Sequence, residues 1–204
     1  KLPIRQPAIV AKQLSSLAVL SNNRIGLGVG LSPWPEDFEA CQIPWEKRGQ
    51  RMDEMIEIIR GLMTGEYFGY KGQIFEMEPI KLCPVPTKPV PILIGGHADA
   101  ALKRAARIGD GWISAGTTLE ELDGFLKKLH AFRAEYGRDK EPFEIQNMGA
   151  SAYTPDGIKQ LEERGVDEVI VAFRDVYKKQ PDSSLEEKLA TMRWYADNVI
   201  AKSR

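Results

Sequence analysis

The stretch that decides the fold runs from Pro89 to Ile113 and reads P-V-P-I-L-I-G-G-H-A-D-A-A-L-K-R-A-A-R-I-G-D-G-W-I. Ile92-Leu93-Ile94 is a short apolar run with prolines before it and Gly95-Gly96 after it. Such a run is expected of a parallel strand buried on both faces and closed by a tight turn. From Ala98 the period changes to that of a helix. Ala98, Ala101, Leu102, Ala105 and Ile108 form one apolar stripe, with Lys103, Arg104 and Arg107 mostly off it. Gly109 stops the helix, and Gly111-Trp112-Ile113 opens the next strand. Strand, glycine turn, helix and strand in so short a span make a βαβ unit. Two adjacent glycines let a backbone approach a bound group closely, and the N–H groups of the following helix suit an anion, most often a phosphate. The same Gly95-Gly96 pair also fits a turn that is merely tightly packed. His97 could donate to an anion or simply cap the helix.

The other segments repeat the alternation. Pro7 starts a helix whose stripe is Val10, Leu14, Leu17 and Ala18, and Ser21-Asn22-Asn23 ends it, since asparagine tolerates left-handed backbone. Arg24 to Gly30 reads as a strand. Its Gly28-x-Gly30 resembles a dinucleotide fingerprint, but Pro33 stands at the third glycine position. A loop follows from Leu31 to Phe38, then a helix with Met52, Met55, Ile56, Ile59 and Met63 inward. Residues 65–91 break the pattern; prolines at 79, 84, 86, 89 and 91 forbid a helix, and Tyr70-Lys71-Gly72-Gln73 looks like a hairpin tip. This segment is expected to leave the main fold as an excursion with short edge strands. Ile113 to Ala115 completes a strand, and Leu119, Leu122, Leu126 and Leu129 mark a helix ending at Gly137. Phe143 to Ala152 is a strand, and Thr154-Pro155 caps a helix with Ile158 and Leu161 inward. Glu168 to Phe173 is the last strand, with Arg174-Asp175 beyond it. Ser183 or Ser184 caps a final helix with the stripe Leu185, Leu189, Met192, Ala196 and Val199.

Five strands alternating with six helices predict a parallel α/β protein, either a barrel or an open sheet. In both, ligands bind at the C-terminal ends of the strands, which here means the loops at Leu31–Phe38, Gly95–His97, Ala115–Thr118, Ser151–Thr154 and Arg174–Ser184.

Composition removes other classes. The net charge of −1 over 204 residues supplies no basic field for nucleic acid or an anionic membrane. No apolar run approaches the roughly 20 residues that span a bilayer. With only His97 and His130, a histidine-based metal site is not expected. Cys41 and Cys83 form no metal or redox motif, so a cytoplasmic location is the default.

Several stretches together resemble the luciferase-like monooxygenase superfamily, in particular its deazaflavin (F420)-dependent oxidoreductase branch. They are Leu2-Pro3-Ile4-Arg5-x-Pro7 with Ala11-Lys12-Gln13-Leu14, Leu20-Ser21-Asn22-Asn23-Arg24 with Leu27-Gly28-Val29-Gly30, Arg48-x-x-Arg51-x-Asp53-Glu54, Pro89–His97, and Ala105 to Trp112. Asn22-Asn23 stands where that family usually has Gly-Gly, and His97 where it usually has Ser. The resemblance implies a (β/α)8 TIM barrel holding a flavin or deazaflavin at the C-terminal ends of its strands. The chain, which does not begin with Met, would be a single domain forming the C-terminal part of that barrel. By match of motif, Gly95, Gly96 and His97 would lie at the cofactor phosphate, and Gly30, Leu31 and Ser32 would approach the ring and a small-molecule substrate. No catalytic acid transfers: the position after the second glycine, which carries a carboxylate in some members, holds Leu31. Glu36 and Asp37 are read as caps of the helix that follows. The implied activity is hydride transfer between F420 and a small organic substrate, by a homodimer. The alternatives are FMN-dependent monooxygenation, a non-catalytic flavin-binding protein, and an NAD enzyme of the open-sheet type.

Overall fold

In a computed structural model, residues 1–172 and 184–203 are described. They fall into two compact units, Lys1–Gly96 with Ile108–Asp110, and His97–Arg107 with the described residues from Gly111 onward.

The first unit begins with a 3-10 turn, Leu2–Ile4, and helix α1, Pro7–Leu20. Helix α1 starts on Pro7 as expected and ends where Asn22 and Asn23 take φ of 55° and 57°. Its buried face is shifted by one residue from the expected stripe. Ala11, Leu14, Ser15 and Ala18 are buried while Leu17 is 54% exposed. The shift follows from Ser15, whose hydroxyl donates to the Pro84 carbonyl; Lys12 similarly holds the Cys83 carbonyl at 2.5 Å. Periodicity that counts only apolar residues misses a buried serine with a partner.

Strand β1, Leu27–Val29, is shorter than Arg24–Gly30. The expected loop at Leu31–Phe38 contains a helix instead, α2 at Pro35–Ala40, so seven α-helices rather than six occur among the described residues. Pro35 pre-sets its first turn, Glu36 and Asp37 favour the positive end of its dipole, and Phe38 buries itself edge-on to Trp45 at 5.0 Å. Helix α3, Arg48–Leu62, packs on α1 and buries Met52, Met55, Ile56 and Ile59 as expected.

The excursion is an antiparallel hairpin of β2, Phe68–Lys71, and β3, Glu76–Ile80. Two features seat it on α3. Gly61 lies so close to the Phe68 ring that an added Cβ would overlap it. The buried Glu54 carboxylate accepts N–H bonds from Gln73, Ile74 and Phe75, at 3.0 Å from Gln73 and Phe75. Strand β4, Ile92–Gly95, then pairs in parallel with β1, placing Val29 opposite Ile94.

The second unit opens on α4, Asp99–Ile108, whose Leu102, Ala105 and Ala106 are buried. Strand β5, Gly111–Ala115, pairs in parallel with β6, Glu144–Met148, which pairs in parallel with β7, Glu168–Val169. Helix α5, Leu119–Glu135, starts with a capping box between Thr118 and Glu121 and stops before Gly137 at φ 69°. Helix α6, Pro155–Glu162, is capped by Thr154, whose hydroxyl accepts the Gly157 N–H. Helix α7, Leu185–Asn198, is capped by Ser184.

Three expectations need correction here. The strand read as Phe143–Ala152 ends at Met148 and continues as a 3-10 turn, Ala150–Tyr153, because the Ala152 carbonyl bonds the Tyr195 hydroxyl at 2.8 Å instead of a neighbouring strand. The strand read as Glu168–Phe173 pairs with β6 at Glu168 and Val169 and sends one more bond from the Ile170 N–H to the Asn147 carbonyl, after which both backbone groups of Ala172 bond the Tyr153 hydroxyl. In α7 the stripe Leu185, Leu189, Met192 and Ala196 is exposed, and burial falls on Tyr195 and Val199. The end of the last strand at Phe173, Arg174-Asp175 and the loop up to Ser183 lie outside the described residues.

Candidate functional site

Among the first unit's residues, the C-terminal ends of β1 and β4 lie together. A Cβ built on Gly30 would sit 3.8 Å from the Gly95 carbonyl oxygen, so the two backbones meet with little side-chain volume between them. Leu2 also donates its N–H to the Gly30 carbonyl, at 3.3 Å. Beyond Gly30 the chain is fastened by Ser32, which is almost fully buried. The Ser32 hydroxyl donates to the Asp37 carboxylate and accepts the Trp34 N–H at 3.2 Å. Lys1 reaches the same Asp37 oxygen at 2.5 Å, and its ammonium stands 4.7 Å from the centre of the half-exposed Trp34 ring. Bonds from Lys1 and Ser32 hold the Asp37 carboxyl below the usual carboxylate range. Leu31 is half-buried between these anchored neighbours.

Gly96, exposed at the end of β4, has φ of 126°, a conformation closed to most side chains. It is a position where only glycine leaves backbone accessible without strain.

Within the second unit, His97 is fixed on three sides. Its ring stacks on Phe125 at 4.7 Å and 11°, and meets Trp112 edge-on at 6.1 Å. Nε2 lies 3.3 Å from both the Ser114 hydroxyl and the Ala115 backbone nitrogen at the end of β5. Ser114 in turn bonds Thr117 at 3.2 Å, and Thr117 accepts from the Asn147 amide at 3.0 Å. Ser114, Thr117 and Asn147 are all buried. Burial pushes the His97 pKa down, against the opposing charge of Glu121. His97 therefore does not cap α4 from solvent; it is neutral and braced against β5.

The first turn of α4 carries Asp99, a carboxylate where an anion is expected. Lys128 engages it at 2.8 Å, though both side chains are more than half exposed, so the pairing is screened and weak. No group of three or more His, Cys, Asp or Glu able to hold a metal occurs among the described residues, and no described helix is long and apolar enough to cross a membrane.

The model of the luciferase-like monooxygenase family matches residues 1–191. The chain belongs to that family. Family relatives include an uncharacterized protein of Mycobacterium tuberculosis, 52% identical over 203 residues, which cover 99% of this chain and 70% of the relative. An F420-dependent glucose-6-phosphate dehydrogenase of Amycolatopsis mediterranei is 33% identical over 110 residues, 52% of this chain and 33% of the enzyme. Among solved structures, a monooxygenase from Streptomyces bottropensis superposes with a TM-score of 0.79 at 20% identity, covering 99% of this chain and 76% of the other. The fold is thus the α/β architecture of luciferase-like TIM barrels.

Sequence reasoning located the turn at Gly95–His97 and the loop at Gly30–Ser32. It missed the Ser114–Thr117–Asn147 chain behind His97 and the Ser32–Asp37 fastening. Only the second had a local signal, a serine before a short Pro-initiated acidic helix.

Proposed function

We propose that this luciferase-like protein transfers a hydride between the deazaflavin F420 and a small organic substrate. The observation that carries the proposal is family membership together with similarity to a relative named as F420-dependent. The turn Gly95-Gly96-His97 would hold the cofactor phosphate, through accessible backbone and the His97 ring. Gly30, Leu31 and Ser32 would face the cofactor ring and the substrate, with the Ser32–Asp37 bond keeping that loop in place. When bound, the deazaflavin supplies two-electron hydride chemistry; the protein binds, orients and excludes water. The same reading takes the chain as part of a single barrel domain of a cytoplasmic homodimer.

A second reading is monooxygenation with FMN, supported by the description of the matching family as luciferase-like monooxygenases. Equilibrium titration of the purified protein with each cofactor separates the two, since deazaflavin and flavin absorb differently. Tighter binding of F420 supports the proposal. Equal or tighter binding of FMN moves the protein to the flavin reading, and binding without turnover of any substrate leaves a non-catalytic flavin-binding protein.

A further inference from the structure

The Ala115 N–H fixes the chemistry of His97, because a backbone amide can only donate. Its bond to Nε2 at 3.3 Å makes Nε2 an acceptor, so the proton of the neutral ring sits on Nδ1. The direction of the neighbouring bonds follows. Ser114 also approaches Nε2 at 3.3 Å and must donate to it, sharing the lone pair with Ala115. The Ser114 oxygen then accepts from Thr117, and Thr117 accepts from the Asn147 amide. Three buried side chains are thus aligned in one sense, each satisfied and each reinforcing the next. The printed bonds of the ring, from Ser114 and Ala115, both fall on Nε2, and no acceptor for Nδ1 occurs among the described residues, while Phe125 stacks on the face of the ring.

We propose that His97 is held as the Nδ1–H tautomer and presents that single N–H to a phosphate oxygen of the cofactor, with Ala115 and the Asn147–Thr117–Ser114 chain claiming the other face. His97 would then be a specificity-determining donor rather than a cation. The inference rests on reading Gly95-Gly96-His97 as the phosphate turn. Burial, which disfavours the charged ring, is consistent with a neutral donor; Glu121 is the charged group that acts against it.

Nitrogen-15 NMR of the histidine side chains tests the tautomer directly. With two histidines in the chain, His130→Gln assigns the signals. At pH 7 the His97 Nδ1 should show the protonated shift and Nε2 the unprotonated one; an Nε2–H form, or an exchanging mixture, overturns the proposal. Isosteric substitution tests the donor. Asparagine places an amide N–H where Nδ1 stands, and glutamine where Nε2 stands. Affinity for F420 should survive His97→Asn within about threefold and fall about tenfold or more in His97→Gln, as the loss of one hydrogen bond to a charged group predicts. The phosphate-free deazaflavin riboside should bind both variants alike. Equal F420 affinities for the two variants overturn the donor role. If the tautomer is as stated but neither His97 variant nor Gly96→Asp alters binding, the phosphate turn itself is wrong, and the donor role falls with it.

Discussion

Asp110 and Ile92 are joined twice: the Asp110 carboxylate accepts the Ile92 N–H at 2.9 Å, and the Asp110 N–H donates to the Ile92 carbonyl at 2.9 Å. The residue that ends one βα segment thereby pins the start of the preceding strand β4. Arg60 binds the same carboxylate oxygen at 2.7 Å. Asp167 repeats the arrangement on Ile145, with bonds of 2.7 and 2.9 Å. Replacing Asp110 with alanine leaves the N–H of Ile92, a fully buried residue, without that partner. Asp110→Ala should lower unfolding free energy by about 1–3 kcal/mol in a denaturant titration. A change below about 0.5 kcal/mol would show that the clasp adds nothing to β4.

Glu54 gives a pH signature. Burial raises its pKa, but backbone bonds from Phe75, Ile74 and Gln73, helped by Gln50, outweigh this and hold it below the ordinary glutamate value. The unfolded chain therefore takes up the proton first as pH falls. The stabilisation by Glu54 is complete above the ordinary value near 4.3 and is lost as pH drops through the lower folded value. Glu54→Gln should be less stable than wild type at pH 6, with the gap closing toward pH 3. A gap that is constant with pH would contradict this account of the hairpin seat.

Gly61 and Phe68 make a steric pair. Gly61→Ala drives a Cβ into the Phe68 ring and should destabilise the protein by about 1–3 kcal/mol. Phe68→Ala removes the obstacle, so the double variant should cost less than the two single changes added. Additive losses in thermal unfolding would mean that the hairpin simply moves aside.

The parts of the fold that could be read in the sequence are those set by neighbours within one turn or strand. Ile92–Ile94 is an apolar run, Asn22-Asn23 is a left-handed stop, and Thr154-Pro155 is a cap, and each is found as expected. Long-range bonds carry no period. Glu54 meets Ile74 across 20 positions and His97 meets Ala115 across 18, so neither could be inferred from spacing. Helix α2 was hidden by its length, since six residues hold too little period to separate from a proline-rich loop. In α7 the apolar stripe follows helical spacing, yet Leu185 is 73% exposed, because periodicity reports which residues share a face but not what covers it. The candidate site divides the same way. Its glycines were legible as turn chemistry, whereas the commitment of His97 to β5 was not.

The central claim is that the turn at Gly96 receives a phosphate-bearing cofactor, and titration of F420 into matched glycine variants tests it most directly. Gly96→Ala and Gly96→Asp each place a Cβ on backbone at φ 126°, where side chains are strained, but only aspartate adds a negative charge. With circular dichroism confirming that both variants are folded, the account predicts that Gly96→Asp abolishes F420 binding while Gly96→Ala retains a measurable part of it. Unchanged affinity in folded Gly96→Asp would contradict the account and place the cofactor elsewhere.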